Sequence, residues 1–86
     1  MRDDLKALAN EVATETERAQ TLHAPIRTLH EAHGVILEEF EEFWEQAKIN
    51  PKKLDATQKA ERIAKLREEL IQTAAMCVRT VMDLTL

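Results

Sequence analysis

Only two prolines, Pro25 and Pro51, interrupt this chain, and it holds a single glycine. Everything between those breaks is rich in Ala, Leu, Glu, Lys and Arg, the residues that favour helices. Three helices fit the pattern. The first spans about residues 3–22, with Leu5, Leu8, Val12, Ala19 and Leu22 on one stripe and Asp3 and Asp4 in the first turn, where the helix dipole favours anions. Pro25 ends or interrupts it. The second begins near Thr28, where Thr28 and Glu31 match the S/T-x-x-E capping box, and runs to about Ile49 before Asn50-Pro51 breaks it. A short polar linker, 51–55, leads into the third helix, about residues 56–83, which Asp55 and Gln58 are placed to cap. Its apolar stripe is Ile63, Leu66, Leu70, Ala74, Cys77, Val81 and Leu84. The expected fold is therefore all-α: one domain, residues 1–86, an antiparallel helical bundle with helices 2 and 3 as its central hairpin. Phe40, Phe43, Leu70, Ala74, Cys77 and Val81 are its expected core.

Composition narrows the functional classes. The net charge is −4 and no basic patch with interleaved aromatics is present, which argues against nucleic-acid binding. The lone Cys77 cannot form an intramolecular disulfide and reads as a small hydrophobe. No apolar run is long enough to cross a membrane and the first residues carry no hydrophobic signal region, so the expected setting is the cytoplasm, away from membranes. Three amphipathic helices in 86 residues leave too little interior for Trp44, Met76, Val78 and Met82 as well as the main stripes. A homodimer or tetramer is expected to cover those flanks.

The second helix also holds the chemistry. Glu38, Glu39, Glu41, Glu42 and Glu45 fall within eight residues, beside the stripe of Ile36, Phe40, Phe43 and Ala47. Residues three or four apart on a helix are neighbours, so these glutamates make five like-charge pairs, and only Glu45 has a basic partner at such a spacing, Lys48. At roughly 0.2–0.5 kcal/mol per pair, the segment carries about 1–2.5 kcal/mol of self-repulsion. A divalent cation would relieve it, since hard cations such as Mg²⁺ take oxygen ligands. On a wheel of about 100° per residue, Glu39 lies about 60° and Glu42 about 120° from the centre of the stripe, on the same side. Helix 3 offers a second i, i+3 pair, Glu69 and Gln72, about 120° and 180° from its own stripe. Two such pairs on antiparallel helices are how helical bundles build metal centres. A solvated acidic face is the competing reading of the same residues. His30 and His33, also i, i+3, point away from Glu39 and Glu42, and Trp44 is either a packing residue or a stacking surface.

LEEFEEFWEQ resembles the EExxE motif of the MazG-like all-α nucleoside triphosphate pyrophosphohydrolases, and LREELIQTAAM resembles their ExxD motif. Residues 28–84 carry the resemblance, with 26 residues between Glu42 and Glu69. It implies a hydrolase that cleaves a nucleoside triphosphate to the monophosphate and pyrophosphate with Mg²⁺, or Mn²⁺, as cofactor. Glu39, Glu42 and Glu69 would be metal ligands, and Glu38 would orient or deprotonate the attacking water. Gln72 stands where the family has an Asp ligand, so the metal set holds three carboxylates and one neutral amide. Arg79, two turns beyond Gln72, is the residue expected to bind phosphate. The alternative is a catalytically weakened relative that binds a nucleotide or a protein partner.

Overall fold

A computed structural model describes all 86 residues. It contains α1 (Asp3–Leu22), α2 (Leu29–Ala47), a 3₁₀ turn (Pro51–Lys53) and α3 (Ala56–Asp83), with no strand. The helix limits follow local chemistry. The Thr28 side chain accepts from Glu31 N at 3.0 Å and starts α2. The reciprocal half of that box is displaced by one residue, because Glu31 Oε2 accepts from Arg27 N at 3.3 Å rather than from the cap itself. At α3 both halves form: Asp55 accepts from Gln58 N at 2.8 Å, and Gln58 Oε1 accepts from Asp55 N at 3.0 Å.

The two breaks are tied down from α3. The last carbonyls of a helix lack partners within it. Arg62 supplies them for α2, donating to Gln46 O and Ala47 O, both at 3.0 Å. At the other end, Asp83 accepts from Ile26 N at 2.9 Å and from Gln20 Nε2 at 3.3 Å, which anchors the α1–α2 connection. The register follows from these ties. Early α3 meets late α2 and late α3 meets the start of the α2 approach, so the two helices are antiparallel. Arg67 meets Glu11 at 2.7 Å and Asp83 meets Gln20, so α1 runs parallel to α3. The third helix thus sits between the other two, and no helix is long and apolar enough to cross a membrane.

Burial overturns part of the expected core. The buried apolar residues are Ala19, Ile26, Ala32, Ala75 and Met76, with Val12, Val35 and Ile36 packed around the central three. On α3 the enclosed residues include Glu69, Met76, Arg79 and Thr80, on roughly the opposite side from the Ile63–Leu70–Val81 stripe. Phe43 and Ala74 are half-buried, but Phe40 is 51% exposed, Leu70 50% and Val81 50%, and Cys77 is exposed. Leu5, Leu8 and Leu22 on α1 are exposed as well. The reason is geometric: α1 and α2 both press on the polar flank of α3, so its most apolar face is left uncovered within one chain.

Candidate metal centre

The enclosed polar flank brings three of the expected residues together. Glu39 and Glu42, one turn apart on α2, face Glu69 from the antiparallel α3. One carboxylate oxygen from each lies within 4.8 Å of the others. Oxygens opposite one another across an octahedral Mg²⁺ stand about 4 Å apart. Small side-chain rotations would therefore close all three onto one ion.

Burial makes the cluster more than an acidic surface. Glu69 is 1% exposed. Its Oε1 is paired with Lys65 Nζ at 2.9 Å, while its Oε2 is buried with no hydrogen-bond partner. Glu39 Oε2 is likewise buried and unpartnered. A buried polar atom left unpaired costs stability, and an ionised one costs more. Two such atoms in one cluster of hard oxygen donors fit a cation of the Mg²⁺ class.

The electrostatics express the same strain. Burial pushes the Glu39 carboxyl up from 4.5 to about 7, with the charges of Glu42, Glu69 and Glu38 acting in the same direction. Glu42 is also raised, first by the proton it can share with the Glu69 carboxylate, then by burial and the charges of Glu69 and Glu38; Lys65 opposes the shift. Protons shared among carboxylates are the usual relief for like charges held this close. Lys65 is held above its ordinary value, chiefly by its bond with Glu69.

The remaining expected residues lie around this centre. Glu38, on α2, and Gln72, on α3, line one cavity of about 480 Å³ that also reaches Glu39. The Gln72 amide donates to Glu68 Oε1 at 3.4 Å. Arg79, the residue expected to bind phosphate, lines the cavity too. It is 4% exposed, donates to Ala24 O at 2.7 Å and pairs with Asp83 at 3.3 Å. Those partners come from the α1–α2 connection and from one turn further along α3, so the guanidinium holds the fold together. Glu45 lies outside the cluster, paired with Lys48 at 2.9 Å.

Two charged participants were missed by the sequence reading, Lys65 and Arg18. Lys65 stands four residues before Glu69, a helical neighbour that spacing alone identifies. Arg18 of α1 lines the cavity beside Glu38 and Glu39, and His23, just past the end of that helix, lines it as well. Nothing in the sequence signals that, because it depends on how α1 docks. No family model, curated protein or solved structure matches the chain.

Proposed function

We propose that this chain is a Mg²⁺-dependent nucleoside triphosphate pyrophosphohydrolase of the MazG-like kind, which also accepts Mn²⁺ and works on the nucleotide pool of the cytoplasm. The observation that carries the proposal is the convergence of Glu39, Glu42 and Glu69, with buried oxygens of Glu39 and Glu69 unpartnered. These three glutamates would hold the cation, with the Gln72 side chain at the edge of the set. When bound, Mg²⁺ neutralises phosphate charge and polarises the phosphoryl group. It also reconciles an acidic protein with an anionic substrate.

The chain's own residues divide the remaining work. Glu38, exposed on α2 and lining the cavity, orients a water and takes its proton as the water oxygen attacks the α-phosphorus. The bond from that phosphorus to the bridging oxygen breaks, and pyrophosphate leaves with the bridging oxygen. Lys65 keeps Glu69 aimed at the centre by holding its other oxygen.

The assembly proposed with this activity is a homodimer or tetramer. Phe40, Trp44, Leu70 and Val81 are large apolar residues at least half exposed on α2 and α3, and the Phe40 and Phe43 rings stand 6.0 Å apart. Large apolar side chains left this exposed on two helices of a small chain support an interaction surface.

One observation favours the second reading, a catalytically weakened binding module. Gln72 supplies no charge where the family has an Asp, and its amide is turned to Glu68. Pyrophosphate release from a panel of nucleoside triphosphates, with Mg²⁺ or Mn²⁺, separates the two. Release from at least one of them, lost in Glu38→Gln, is the expected result. No release with Mg²⁺ binding retained would select the binding module. Gln72→Asp should then strengthen Mg²⁺ binding.

A further inference from the structure

One positive charge already sits at the carboxylate cluster: the Lys65 ammonium, 2.9 Å from Glu69 Oε1. The pair is lopsided. The Lys65 side chain is 46% exposed, while that of Glu69 is 1% exposed. The ammonium also reaches Glu68 Oε2 at 3.5 Å, which gives it a second anchor on the same helix, outside the cluster. Separating a buried carboxylate from its basic partner leaves it charged and unpaired, which is strongly unfavourable. Lys65 and Glu69 Oε1 are therefore a fixed contact.

The two oxygens of Glu69 are thus in different situations. Oε1 is held by Lys65, while Oε2 is buried with no hydrogen-bond partner. A glutamate serving only as half of an ion pair has no need to bury a second, unpaired oxygen. Oε2 is the oxygen free to turn to an ion, so Glu69 can ligate through one oxygen but not through both. That restriction separates the two common hard cations. Mg²⁺ demands near-ideal octahedral geometry, and the two oxygens of one carboxylate stand too close together to fill neighbouring corners of it. Ca²⁺ is larger, takes more oxygens in a looser arrangement and accepts carboxylates through both. The charge of Lys65 repels the two ions alike; its hold on Oε1 does not treat them alike.

We propose that Lys65 sets the ion specificity of the centre: by holding Glu69 Oε1 it confines Glu69 to a single ligand oxygen, which suits Mg²⁺ and denies Ca²⁺ a bidentate ligand. The proposal rests on the metal reading above and adds the residue that discriminates between ions of equal charge.

The test titrates Mg²⁺ and Ca²⁺ separately into the intact metal-free chain by calorimetry, and the readout is the ratio of their dissociation constants. In the unmodified chain Ca²⁺ should bind no more tightly than Mg²⁺. Lys65→Met removes both the charge and the bond to Oε1, so both ions should bind more tightly, with Ca²⁺ gaining about tenfold more than Mg²⁺. Lys65→Gln removes the charge but keeps an N–H donor at the same helical spacing from Glu69, so both affinities should rise while the ratio stays that of the unmodified chain. An equal gain for the two ions in Lys65→Met, which is what charge alone would give, would overturn the assignment. So would a ratio that shifts as far in Lys65→Gln as in Lys65→Met. A clear preference of the unmodified chain for Ca²⁺ would overturn it too, and that measurement does not depend on any variant folding. In each of these cases the metal centre itself stands. Binding of neither ion would overturn both.

Discussion

Glu39 carries the clearest consequence of burying like charges. Its carboxyl titrates near 4.5 in an open chain and at about 7 in the fold. A raised value means that the native state binds the proton more tightly than the unfolded chain does. The metal-free protein should therefore lose stability as pH rises from about 4.5 to about 7, with the loss complete above that window. Melting temperatures measured without divalent cations on either side of the window should show the fall, and Glu39→Gln should remove Glu39's share of it. A metal-free melting temperature that is flat or rises across the window would contradict the geometry. At this scale the convergence of the three carboxylates was legible in the sequence, because helical spacing alone puts Glu39 and Glu42 on one flank and Glu69 on the facing one. Arg79 was not, since its partners, Ala24 O and Asp83, meet it only after the α1–α2 connection has docked.

The helices themselves were legible to within a residue or two, for reasons that are local. Pro25, Asn50-Pro51, Thr28 and Asp55 set the ends by chemistry that acts within one turn. The reciprocal bonds of Asp55 and Gln58 make a specific claim about α3. Asp55→Ala should lower stability by about 1 kcal/mol in urea unfolding and leave Mg²⁺ binding unchanged, since the cap lies far along the helix from Glu69. A loss well below that figure would mean the cap contributes little. The rotation of α3 was not legible. A wheel finds the most apolar face but not the neighbour that covers it, and here α1 and α2 take the flank holding Glu69, Met76 and Arg79. Placing acidic residues inside and Leu70 outside is a choice that local propensity opposes, and such conflicts between levels mark functional positions.

The uncovered face bears on the molecule as a whole. Phe40, Trp44, Leu70 and Val81 lie at least half exposed on the two helices that hold the carboxylates. If a second copy covers that face, Leu70→Glu should convert the oligomer to a 9.9 kDa monomer in sedimentation, with Mg²⁺ binding weakened only through lost support for α3. A monodisperse 9.9 kDa species for the unmodified chain at micromolar concentration would contradict the assembly. The acidic centre and the apolar face are complementary features of one rotation of α3: turning carboxylates inward turns leucine and valine outward. That arrangement costs stability in an isolated metal-free chain, and a cation and a partner copy are the two agents that would recover it.

The claim on which the rest depends is that Glu39, Glu42 and Glu69 hold a divalent cation, and thermal unfolding with and without Mg²⁺ tests it most directly. A ligand at about a hundred times its dissociation constant stabilises the fold by roughly 2.7 kcal/mol, which for a chain this short is a rise on the order of 10 °C. Mg²⁺ should produce a saturable rise of that kind. In Glu42→Gln the rise should vanish while the metal-free protein melts at the same temperature or slightly higher, because one repelling charge is gone. An unchanged melting temperature in Mg²⁺, or a rise that survives Glu42→Gln in full, would contradict the account and leave the carboxylates as an acidic surface.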